Sequence, residues 1–318
     1  MRLGGPARYV LEVEKIEDIP KAYNFAKEKS LPVFVIGGGA NTIGHDEGFP
    51  GVLIKNVMKG IVLVGDKLTA FGGEVWDDVV AFAVDRSLTG IEALSKIPGS
   101  AGAAPVQNIG AYGQDVSDTF VSAEVYDTKD GEFKTLNKDD MGFSYRKSIL
   151  NTTEKGRYFV ISITLELHPG KMERPFYNSI ERYIEKTGAD DFSPQGIRKI
   201  VSLIRGDKLP DPAEHASSGS FFKNVYLDEA GAKTAEEKGY PVYHGHDGLK
   251  INSGWLIEQA GFSGKTLHGM YVNPKAALVL INDSAKSYED LAAARTEIIE
   301  KVYQDFGYRL EQEPVEIL

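Results

Sequence analysis

The segment Gly90–Gly113 combines glycines, alanines and side-chain amides where a buried apolar run would be expected. Glycine has no Cβ, so the backbone around it can come close to a ligand and can adopt positive φ angles. Loops of this length inside a compact domain are uncommon and usually functional. We therefore predict that the segment binds a ligand, the alternative being a long surface loop. The expected binding surface consists of Gly99, Ser100, Ala101, Gly102, Ala103, Ala104, Gln107, Asn108, Gly110 and Gly113.

A second glycine run, Gly37–Gly39, follows the apolar segment Val33–Ile36, which has the composition of a short buried strand. The residues after the glycines are polar and lead to another strand near Val52–Ile54, so the helix of a Rossmann fingerprint is missing. No Gly-Lys-Ser/Thr sequence follows, which excludes a P-loop. A loop of backbone N–H groups suited to a phosphate remains, and the alternative is a tight connection between two strands.

The composition limits the classes of partner. A length of 318 residues suggests about two domains. The 46 acidic and 36 basic side chains give a net charge of −10, which argues against a general nucleic-acid or membrane-surface binder. The chain has no cysteine, so disulfides, thiolate nucleophiles and cysteine-ligated metal sites are excluded. No apolar stretch approaches the length of a membrane span and the first residues do not resemble a signal peptide, so we expect a cytosolic protein.

The six histidines do not predict a metal site. The pair His244-Gly245-His246 is the one close spacing among them, and we interpret it as a polar loop. No bound metal is expected.

Helical and strand periodicities alternate along the chain and predict an α+β protein. The N-terminal order is β-α-β-loop-β, with Asp18 as a candidate helix cap. A hairpin is expected around the turn Lys129–Gly131. The segment Lys208–Pro212 breaks the periodicity and marks a predicted domain boundary. Amphipathic helices are predicted at residues 20–29, 75–87, 175–186, 195–205, 254–259 and 287–306, and strands at residues 7–13, 33–36, 52–54, 121–126, 132–136, 158–167 and 277–281.

Six short motifs occur in the order and spacing typical of the UDP-N-acetylenolpyruvoylglucosamine reductases (MurB). The motifs are Gly37-Gly38-Gly39-Ala40-Asn41, Ile97-Pro98-Gly99-Ser100 with Gln107 to Gly113, Tyr145-Arg146-Lys147-Ser148, Gly219 to Asn224, Gly254-Trp255-Leu256-Ile257, and Leu310-Glu311-Gln312-Glu313. Together they extend over nearly the whole chain, so the sequence is similar to that family. The match at Tyr177 resembles its longer-loop subtype.

The resemblance implies a two-subdomain FAD-binding module of the vanillyl-alcohol-oxidase (PCMH) type, followed by an α+β substrate-binding domain. The implied bounds are 1–56 and 57–211 for the FAD subdomains and 212–306 for the substrate domain, with the tail 307–318 returning to the first subdomain. FAD is expected to be non-covalent. The implied cofactor-binding residues are Gly37, Gly38, Gly39, Ala40, Asn41, Thr42, Pro98, Gly99, Ser100, Gly102, Ala103, Gln107, Asn108, Gly110, Ala111, Tyr112 and Gly113.

The implied reaction uses NADPH as co-substrate and reduces the enolpyruvyl ether of UDP-N-acetylglucosamine to UDP-N-acetylmuramate, a peptidoglycan precursor. Hydride addition to the vinyl β-carbon leaves negative charge on the α-carbon, delocalised into the neighbouring carboxylate. The resemblance implies that Arg146 stabilises this charge. Glu313 would hydrogen-bond to the same oxygens if its carboxyl is protonated, and Ser220 would protonate the α-carbon. An unassisted serine is a weak acid, so neighbouring cations and a proton path are also expected.

Further positions resemble the family's substrate contacts. They are Tyr145, Tyr177, Arg205, Lys208, Lys223 and Asn224. The family pattern places an amide side chain ahead of the segment Ala277–Asn282, and this chain has Ala276 there. The departure predicts either weaker nucleotide binding or replacement of the amide by another residue.

Two alternatives stay open from the sequence. One is an FAD-dependent oxidase of the same fold, in which His45 would attach the flavin covalently. The other is a non-catalytic flavin- or UDP-sugar-binding protein, although Ser220, Arg146 and Glu313 argue against it because a binding module needs no proton donor. The reductase hypothesis predicts a monomer that releases FAD on denaturation and has no nucleic-acid or membrane partner.

Overall fold

The computed structural model of the chain describes residues 1–211, 214–245 and 247–318. Its helices are α1 (Asp18–Glu28), α2 (Trp76–Val84), α3 (Val116–Thr119), α4 (Asn178–Thr187), α5 (Pro194–Lys208), α6 (Glu229–Glu237), α7 (Ser253–Gln259) and α8 (Tyr288–Phe306). Its strands are β1 (Ala7–Val13), β2 (Val33–Ile36), β3 (Thr42–Gly44), β4 (Phe49–Asn56), β5 (Ile61–Val64), β6 (Lys67–Phe71), β7 (Leu88–Thr89), β8 (Gly110–Ala111), β9 (Gln114–Asp115), β10 (Phe120–Asp127), β11 (Glu132–Asn137), β12 (Tyr158–Glu166), β13 (His168–Pro169), β14 (Ala216–Ser220), β15 (Val225–Leu227), β16 (Tyr243–Gly245), β17 (Gly248–Ile251), β18 (Thr266–Leu267), β19 (Met270–Val272), β20 (Val279–Asn282) and β21 (Val315–Ile317).

Two compact units make up the chain. The 7–205 unit consists of Ala7–Ala40 and Pro50–Arg205. The 206–318 unit consists of Met1–Pro6, Asn41–Phe49 and Gly206–Leu318. The expected division into two FAD subdomains and a substrate domain stays a prediction. Two residues named in the predictions lie outside the described residues. They are Pro212, the first residue of the expected substrate domain, and His246, in the expected polar loop.

The 7–205 unit contains a three-stranded and a five-stranded sheet. The first has the strand order β1-β4-β2, with β2 and β4 parallel. The chain order β1, α1, β2, β4 confirms the predicted β-α-β-loop-β order, with the short strand β3 inside the expected loop. Helix α1 buries Ile19, Ala22 and Ala26 in the core beside these strands. Asp18 is the first residue of α1 rather than its cap, because Glu17 occupies the N-cap position without a side-chain hydrogen bond.

The five-stranded sheet has the order β11-β10-β12-β6-β5. The antiparallel pair β10–β11 confirms the hairpin predicted around Lys129–Gly131. Helix α2 packs against this sheet through Trp76, Val79 and Val80, which are almost completely buried. The amphipathic helices α4 and α5 pack together through a separate apolar cluster that includes Ile180, Ile197 and Val201.

The 206–318 unit is built on antiparallel strands with the order β14-β20-β19-β18, and on the smaller sheet β15-β17-β16. Its core includes Phe221, Phe222 and residues of α7 and α8. The predicted capping box of α8 is confirmed, because the side chains of Ser287 and Asp290 each accept a bond from the other's backbone N–H.

The C-terminal residues return to an early part of the chain. Strand β21 pairs in parallel with β3, with Val315 opposite Thr42 and Ile317 opposite Gly44. Within the described residues, no helix combines the length and the apolar character that crossing a membrane requires.

Candidate active site

The two predicted glycine-rich segments contact each other within the 7–205 unit. A Cβ atom on Gly37 would lie 2.5 Å from Ser100 Oγ and 3.3 Å from the Cβ of Ala103. A Cβ on Gly38 would lie 3.4 Å from the Cα of Gly99. The fold therefore brings these segments together at a distance that glycine at position 37 makes possible.

Backbone hydrogen bonds hold the second segment in place. The N–H of Trp76 donates to the carbonyl of Gly99 at 3.1 Å, and the N–H of Gly102 donates to the carbonyl of Gly72 at 2.9 Å. Gly99 has φ +131°, and no atom lies within 4 Å of the position that its Cβ would occupy. We call the two segments, residues 37–39 and 98–103, the glycine cradle. Its open side at Gly99 fits a group such as a pyrophosphate, which backbone N–H groups bind at close range.

Asn108 and Gly110 are needed by the protein itself. Asn108 is 3% exposed, and its Oδ1 accepts from the N–H of Ser117 at 3.0 Å. Its Nδ2 donates to the carbonyl of Ser144 at 3.3 Å. A Cβ on Gly110 would lie 1.4 Å from Asp115 Oδ1. Cofactor binding by Asn108 and Gly110 stays a prediction, but internal packing alone accounts for both residue types.

Arg146 lies against the segment that follows the glycine cradle. Its Nη2 donates to the carbonyl of Gly110 at 3.0 Å, and its Nη1 lies 3.5 Å from the carbonyl of Asn108. The residue has φ +56°, and its backbone carbonyl accepts from Asn151 Nδ2 at 3.0 Å. These contacts fix the direction of the guanidinium group. The structure thus brings the predicted catalytic arginine next to the predicted cofactor segment.

Three predicted ligand residues, Tyr112, Tyr177 and Arg205, form a second group in the 7–205 unit. The rings of Tyr112 and Tyr177 meet edge to face with centroids 6.0 Å apart. Burial lowers the pKa of Arg205, with the Tyr112 hydroxyl opposing this, and burial raises the pKa of Tyr112. The Nε of Arg205 is buried and has no hydrogen-bond partner among the described residues. A guanidinium in this state is suited to an anionic ligand such as a diphosphate.

Ser220 and Glu313 belong to adjacent segments of the 206–318 unit. Ser220 ends β14 opposite Val279, after an irregularity where Gly219 has φ +70°. The next residue, Phe221, is fully buried, and its carbonyl accepts from the N–H of Glu313 at 2.9 Å. Asn41 Nδ2 also approaches the carbonyl of Glu313, at 3.5 Å. The backbone therefore brings together the predicted acid and the predicted carboxyl group.

The remaining predicted substrate residues of this unit differ in their surroundings. Lys223 Nζ lies 3.3 Å from Glu311 Oε2. Asn224 Oδ1 accepts from the N–H of Ser253 at 3.1 Å. Lys208 is exposed, and its backbone carbonyl accepts from Asn273 Nδ2 at 2.9 Å. Asn273, three residues before the expected amide position at Ala276, thus uses its amide to fix the end of α5.

His45 takes part in a polar cluster that the sequence did not indicate. Its Nε2 lies 3.1 Å from Glu316 Oε2, and its ring stacks on Tyr288 at 3.6 Å. Arg295 Nη1 donates to Glu316 Oε1 at 2.6 Å. Burial acts to raise the pKa of Glu316, but bonds from His45 and Arg295 outweigh it and hold the pKa at about 2. No spacing rule predicts these contacts, because the residues are far apart in the sequence.

The described part of the chain contains no group of three or more histidine, aspartate or glutamate side chains placed to hold a metal ion.

Two family models match the chain. Residues 7–137 match the FAD binding domain, and residues 211–317 match the C-terminal domain of UDP-N-acetylenolpyruvoylglucosamine reductase. The reductase of that name from Ralstonia nicotianae is 37% identical over 99% of this chain and 95% of its own length. The chain belongs to the UDP-N-acetylenolpyruvoylglucosamine reductase family.

Other reductases of this family support the same assignment. The Pseudomonas aeruginosa protein is 33% identical over 97% of this chain and 93% of its own length. The Streptomyces coelicolor protein is 35% identical over 99% of this chain and 87% of its own length. The crystal structure of the Thermus caldophilus reductase superimposes with a TM-score of 0.66 at 24% identity, covering 99% of this chain and 93% of that one. This last comparison shows the shared fold.

Family membership confirms several predictions. The FAD-binding and C-terminal domains confirm the predicted fold class and the flavin cofactor. The chain is an FAD-dependent oxidoreductase of the reductase family, as predicted. The roles of individual site residues stay predictions, and so does non-covalent attachment of FAD. His45 bonds to Glu316 and stacks on Tyr288, and covalent attachment of flavin to this residue stays an untested alternative.

Proposed function

We propose that this protein reduces the enolpyruvyl ether of UDP-N-acetylglucosamine to UDP-N-acetylmuramate, with NADPH as the electron source. The observation that carries the proposal is the hydrogen bond from the N–H of Glu313 to the carbonyl of Phe221, 2.9 Å long, which ties the expected carboxyl group to the segment of Ser220. It occurs in a chain that is 37% identical to a reductase of this name.

The glycine cradle would hold FAD by its pyrophosphate, and we propose Gly37, Gly38, Gly99 and Ser100 as its main contacts. When bound, FAD would supply the hydride-transfer chemistry between NADPH and the vinyl group. The protein contributes binding and orientation. The residues of the cradle have small side chains or none, so they leave room for the cofactor next to the backbone.

We propose that Arg146 binds the carboxylate of the enolpyruvyl group. Two backbone carbonyls, at 3.0 and 3.5 Å, orient its guanidinium before the substrate arrives. Charge that develops on the α-carbon spreads into this carboxylate, so a fixed cation stabilises the transition state more than the ground state. Arg146 thereby raises the rate of the second half-reaction, in which the reduced flavin is reoxidised by the enolpyruvyl substrate. The first half-reaction is the reduction of the flavin by NADPH.

Ser220 would donate its hydroxyl proton to the α-carbon, and Glu313 would orient the substrate carboxylate or supply the replacing proton. A serine hydroxyl is a weak acid, so this transfer needs nearby positive charge to stabilise the alkoxide. Lys223 lies beside this segment: its N–H donates to the carbonyl of Glu311 at 2.9 Å, and its Nζ lies 3.3 Å from Glu311 Oε2. We propose that Lys223 and Asn224 contribute to substrate binding next to the proton donor.

Arg205, Tyr112 and Tyr177 would bind the nucleotide diphosphate. Burial lowers the pKa of Arg205, and its Nε has no partner within the described residues, so an anionic ligand would satisfy the group. Lys208 is exposed at the end of the same helix and would add a second positive charge. Tyr145 completes the set that we assign to the substrate.

We further propose a cytoplasmic monomer. The net charge of −10 agrees with the absence of a nucleic-acid or membrane partner. Sedimentation equilibrium at micromolar concentration tests the oligomeric state, and a molar mass well above that of one chain would refute the monomer.

Anaerobic stopped-flow absorbance tests the activity. The FAD-loaded protein is reduced with NADPH and then mixed with UDP-N-acetylglucosamine enolpyruvate. We expect rapid return of the oxidised-flavin band without oxygen. Return of the band only after oxygen is admitted would instead identify an oxidase, and a protein that takes up no FAD would refute the cofactor site.

The variant Ser220→Ala tests the proton donor. We expect reoxidation by the substrate to slow by about 10²- to 10⁴-fold while reduction by NADPH is unchanged. Ser217→Ala removes a hydroxyl from the same strand and serves as the matched control, with both rates close to those of the parent. Reoxidation of Ser220→Ala at the parent rate would show that another group donates the proton.

A further inference from the structure

A polar cluster joins three distant segments of the 206–318 unit. Arg295, on α8, donates from Nη1 to Gln312 Oε1 at 2.7 Å and to Glu316 Oε1 at 2.6 Å. Its Nη2 lies 3.4 Å from the hydroxyl of Tyr288, on which the ring of His45 stacks. We call these five residues, His45, Tyr288, Arg295, Gln312 and Glu316, the tail clamp.

The tail clamp holds the chain on both sides of Glu313. Gln312 precedes Glu313 directly, and Glu316 follows it by three residues. Gln312 Nε2 also donates to the carbonyl of Pro314 at 2.8 Å and to Glu316 Oε1 at 3.2 Å, which links the two ends of the segment. Arg295 therefore bonds to both ends of the five-residue segment 312–316, which contains Glu313.

The support for Arg295 is rigid. Helix α8 has 19 residues, and it buries Leu291, Ala294 and Ile298 completely in the core. Two backbone hydrogen bonds also hold the segment. The N–H of Glu313 donates to the carbonyl of Phe221, and the N–H of Val315 donates to the carbonyl of Asn41. These backbone bonds fix Glu313 and Val315. The side-chain bonds from Arg295 then fix the orientation of the segment relative to α8.

Arg295 and Glu316 carry opposite charges at neutral pH. Hydrogen bonds to Tyr288 and Glu316 outweigh burial and raise the pKa of Arg295, while bonds from His45 and Arg295 keep Glu316 ionised. The side chains of both Arg295 and Glu316 are 22% exposed. An ion pair with this much exposure contributes little to folding, so its fixed geometry is the more informative property.

We propose that Arg295 is a positioning residue for Glu313, holding its carboxyl group in the direction that the second half-reaction requires. The inference rests on the proposed function, because it concerns the same reaction. Arg295 acts through Gln312 and Glu316. It also accounts for His45, which packs against Glu316 and Tyr288 at the far side of the clamp.

The first experiment compares Arg295→Gln, Arg295→Lys and the control Lys301→Gln. Lys301 forms an ion pair with Asp305 on the same helix, 2.7 Å long, away from the tail. For Arg295→Gln we expect reoxidation by the substrate to slow by about tenfold to a hundredfold, since a small misplacement of a reacting group has effects of this size. Reduction by NADPH and the bound FAD should match the parent, and Lys301→Gln should leave both half-reactions unchanged.

Arg295→Lys should restore part of the lost rate, because lysine can reach Glu316 but cannot bind Gln312 and Glu316 in a fork. If Arg295→Gln does not fold, Arg295→Lys and Glu316→Gln take its place, with slower reoxidation and unchanged reduction expected for each. Reoxidation at the parent rate in these variants would overturn the proposal. An equal fall in both half-reactions together with loss of FAD would also overturn it, since that result indicates a merely structural role.

A double-mutant cycle tests whether Arg295 acts through Glu313. In the Glu313→Gln background, Arg295→Gln should slow reoxidation by less than about twofold further, because the group that it positions is already lost. Additive effects would overturn the proposal while leaving the reductase activity established by the parent. Failure of the proposed function is distinct, because the parent and Lys301→Gln would then show no reoxidation by the substrate.

Discussion

The glycine cradle and the tail clamp achieve precise geometry in opposite ways. In the cradle, residues 37–38 approach residues 99–103 so closely that the Cβ of an alanine at position 37 would lie 2.5 Å from Ser100 Oγ. In the clamp, long side chains reach across from His45 and Arg295 to the C-terminal residues. The geometry of the cradle therefore depends on glycines that lack a Cβ atom, and the geometry of the clamp depends on ion pairs and hydrogen bonds between long side chains. Substitutions should affect cofactor retention in the first region and reaction rate in the second.

Arg146 gives the strongest test, because it is a functional side chain placed against the cofactor segment. Arg146→Lys should slow reoxidation by about 10²- to 10³-fold without loss of FAD. Lysine keeps the charge but not the planar fork that the carbonyls of Asn108 and Gly110 orient. Stopped-flow absorbance measures the rate and the flavin spectrum measures FAD content.

The matched control for this variant is Arg86→Lys, whose arginine bonds to the carbonyl of Phe82 in the same unit. It should behave as the parent. If Arg146→Lys instead loses FAD and keeps its rate, Arg146 serves cofactor binding and not the reduction of the substrate.

Gly37→Ala should disturb the cradle by steric overlap with Ser100. Overpacking of this kind destabilises a protein by about 1–3 kcal/mol, and we expect weaker FAD binding as well. The double variant Gly37→Ala with Ser100→Ala removes the overlapping oxygen and should recover at least part of the lost stability. Thermal unfolding and flavin titration of the FAD-free protein measure the two effects.

Ser100→Ala alone provides the reference for that pair. If the stability losses of Gly37→Ala and Ser100→Ala simply add in the double variant, the two residues are independent. The close approach of the segments would then not be the reason for glycine at position 37.

Glu316 should make the clamp sensitive to acid. Its pKa in the folded protein is about 2, below the ordinary value of 4.5, so its stabilisation is present above pH 4.5 and is lost as the pH falls toward 2. Because solvent screens this partly exposed group, we expect it to contribute no more than about 1 kcal/mol at neutral pH. Urea unfolding at pH 6 should show Glu316→Gln less stable than the parent, and the difference should shrink by more than half by pH 3.

A stability difference that stays constant between pH 6 and pH 3 would mean that the carboxylate of Glu316 is not stabilised by Arg295 and His45.

The smallest effect is expected for Gly206→Ala, a glycine outside the cradle. Gly206 lies within α5, and no atom lies within 4 Å of the position that its Cβ would occupy. Alanine should therefore raise stability by about 0.5–1 kcal/mol through helix propensity. Thermal unfolding measures this change, and destabilisation here would show that steric exclusion is not special to the cradle.

Much of the secondary structure could be predicted from local sequence patterns. Alternation and periodicity predicted the order β1-α1-β2-loop-β4, the β10–β11 hairpin and α8. The capping box of α8 depends on Ser287 and Asp290, which are only three residues apart. The ends were less well determined. Helix α2 begins at Trp76 rather than Val75, because Val75 has an extended conformation, and it ends at Val84 rather than Ser87.

Glycine content also indicated both segments of the cradle, because close backbone approach demands a specific residue type. The motifs in register then indicated the family.

Tertiary structure decided the contacts between residues far apart in the chain. The sequence suggests Asn108 as a ligand contact, but the fold engages its amide with Ser117 and Ser144. The sequence also does not predict that His45 and Arg295 both contact Glu316, since His45 and Glu316 are 271 positions apart. Periodic patterns report which face of a helix or strand is buried, whereas a hydrogen bond depends on the position of two side chains after the whole core has packed. For that reason the tail clamp emerges only from the folded chain.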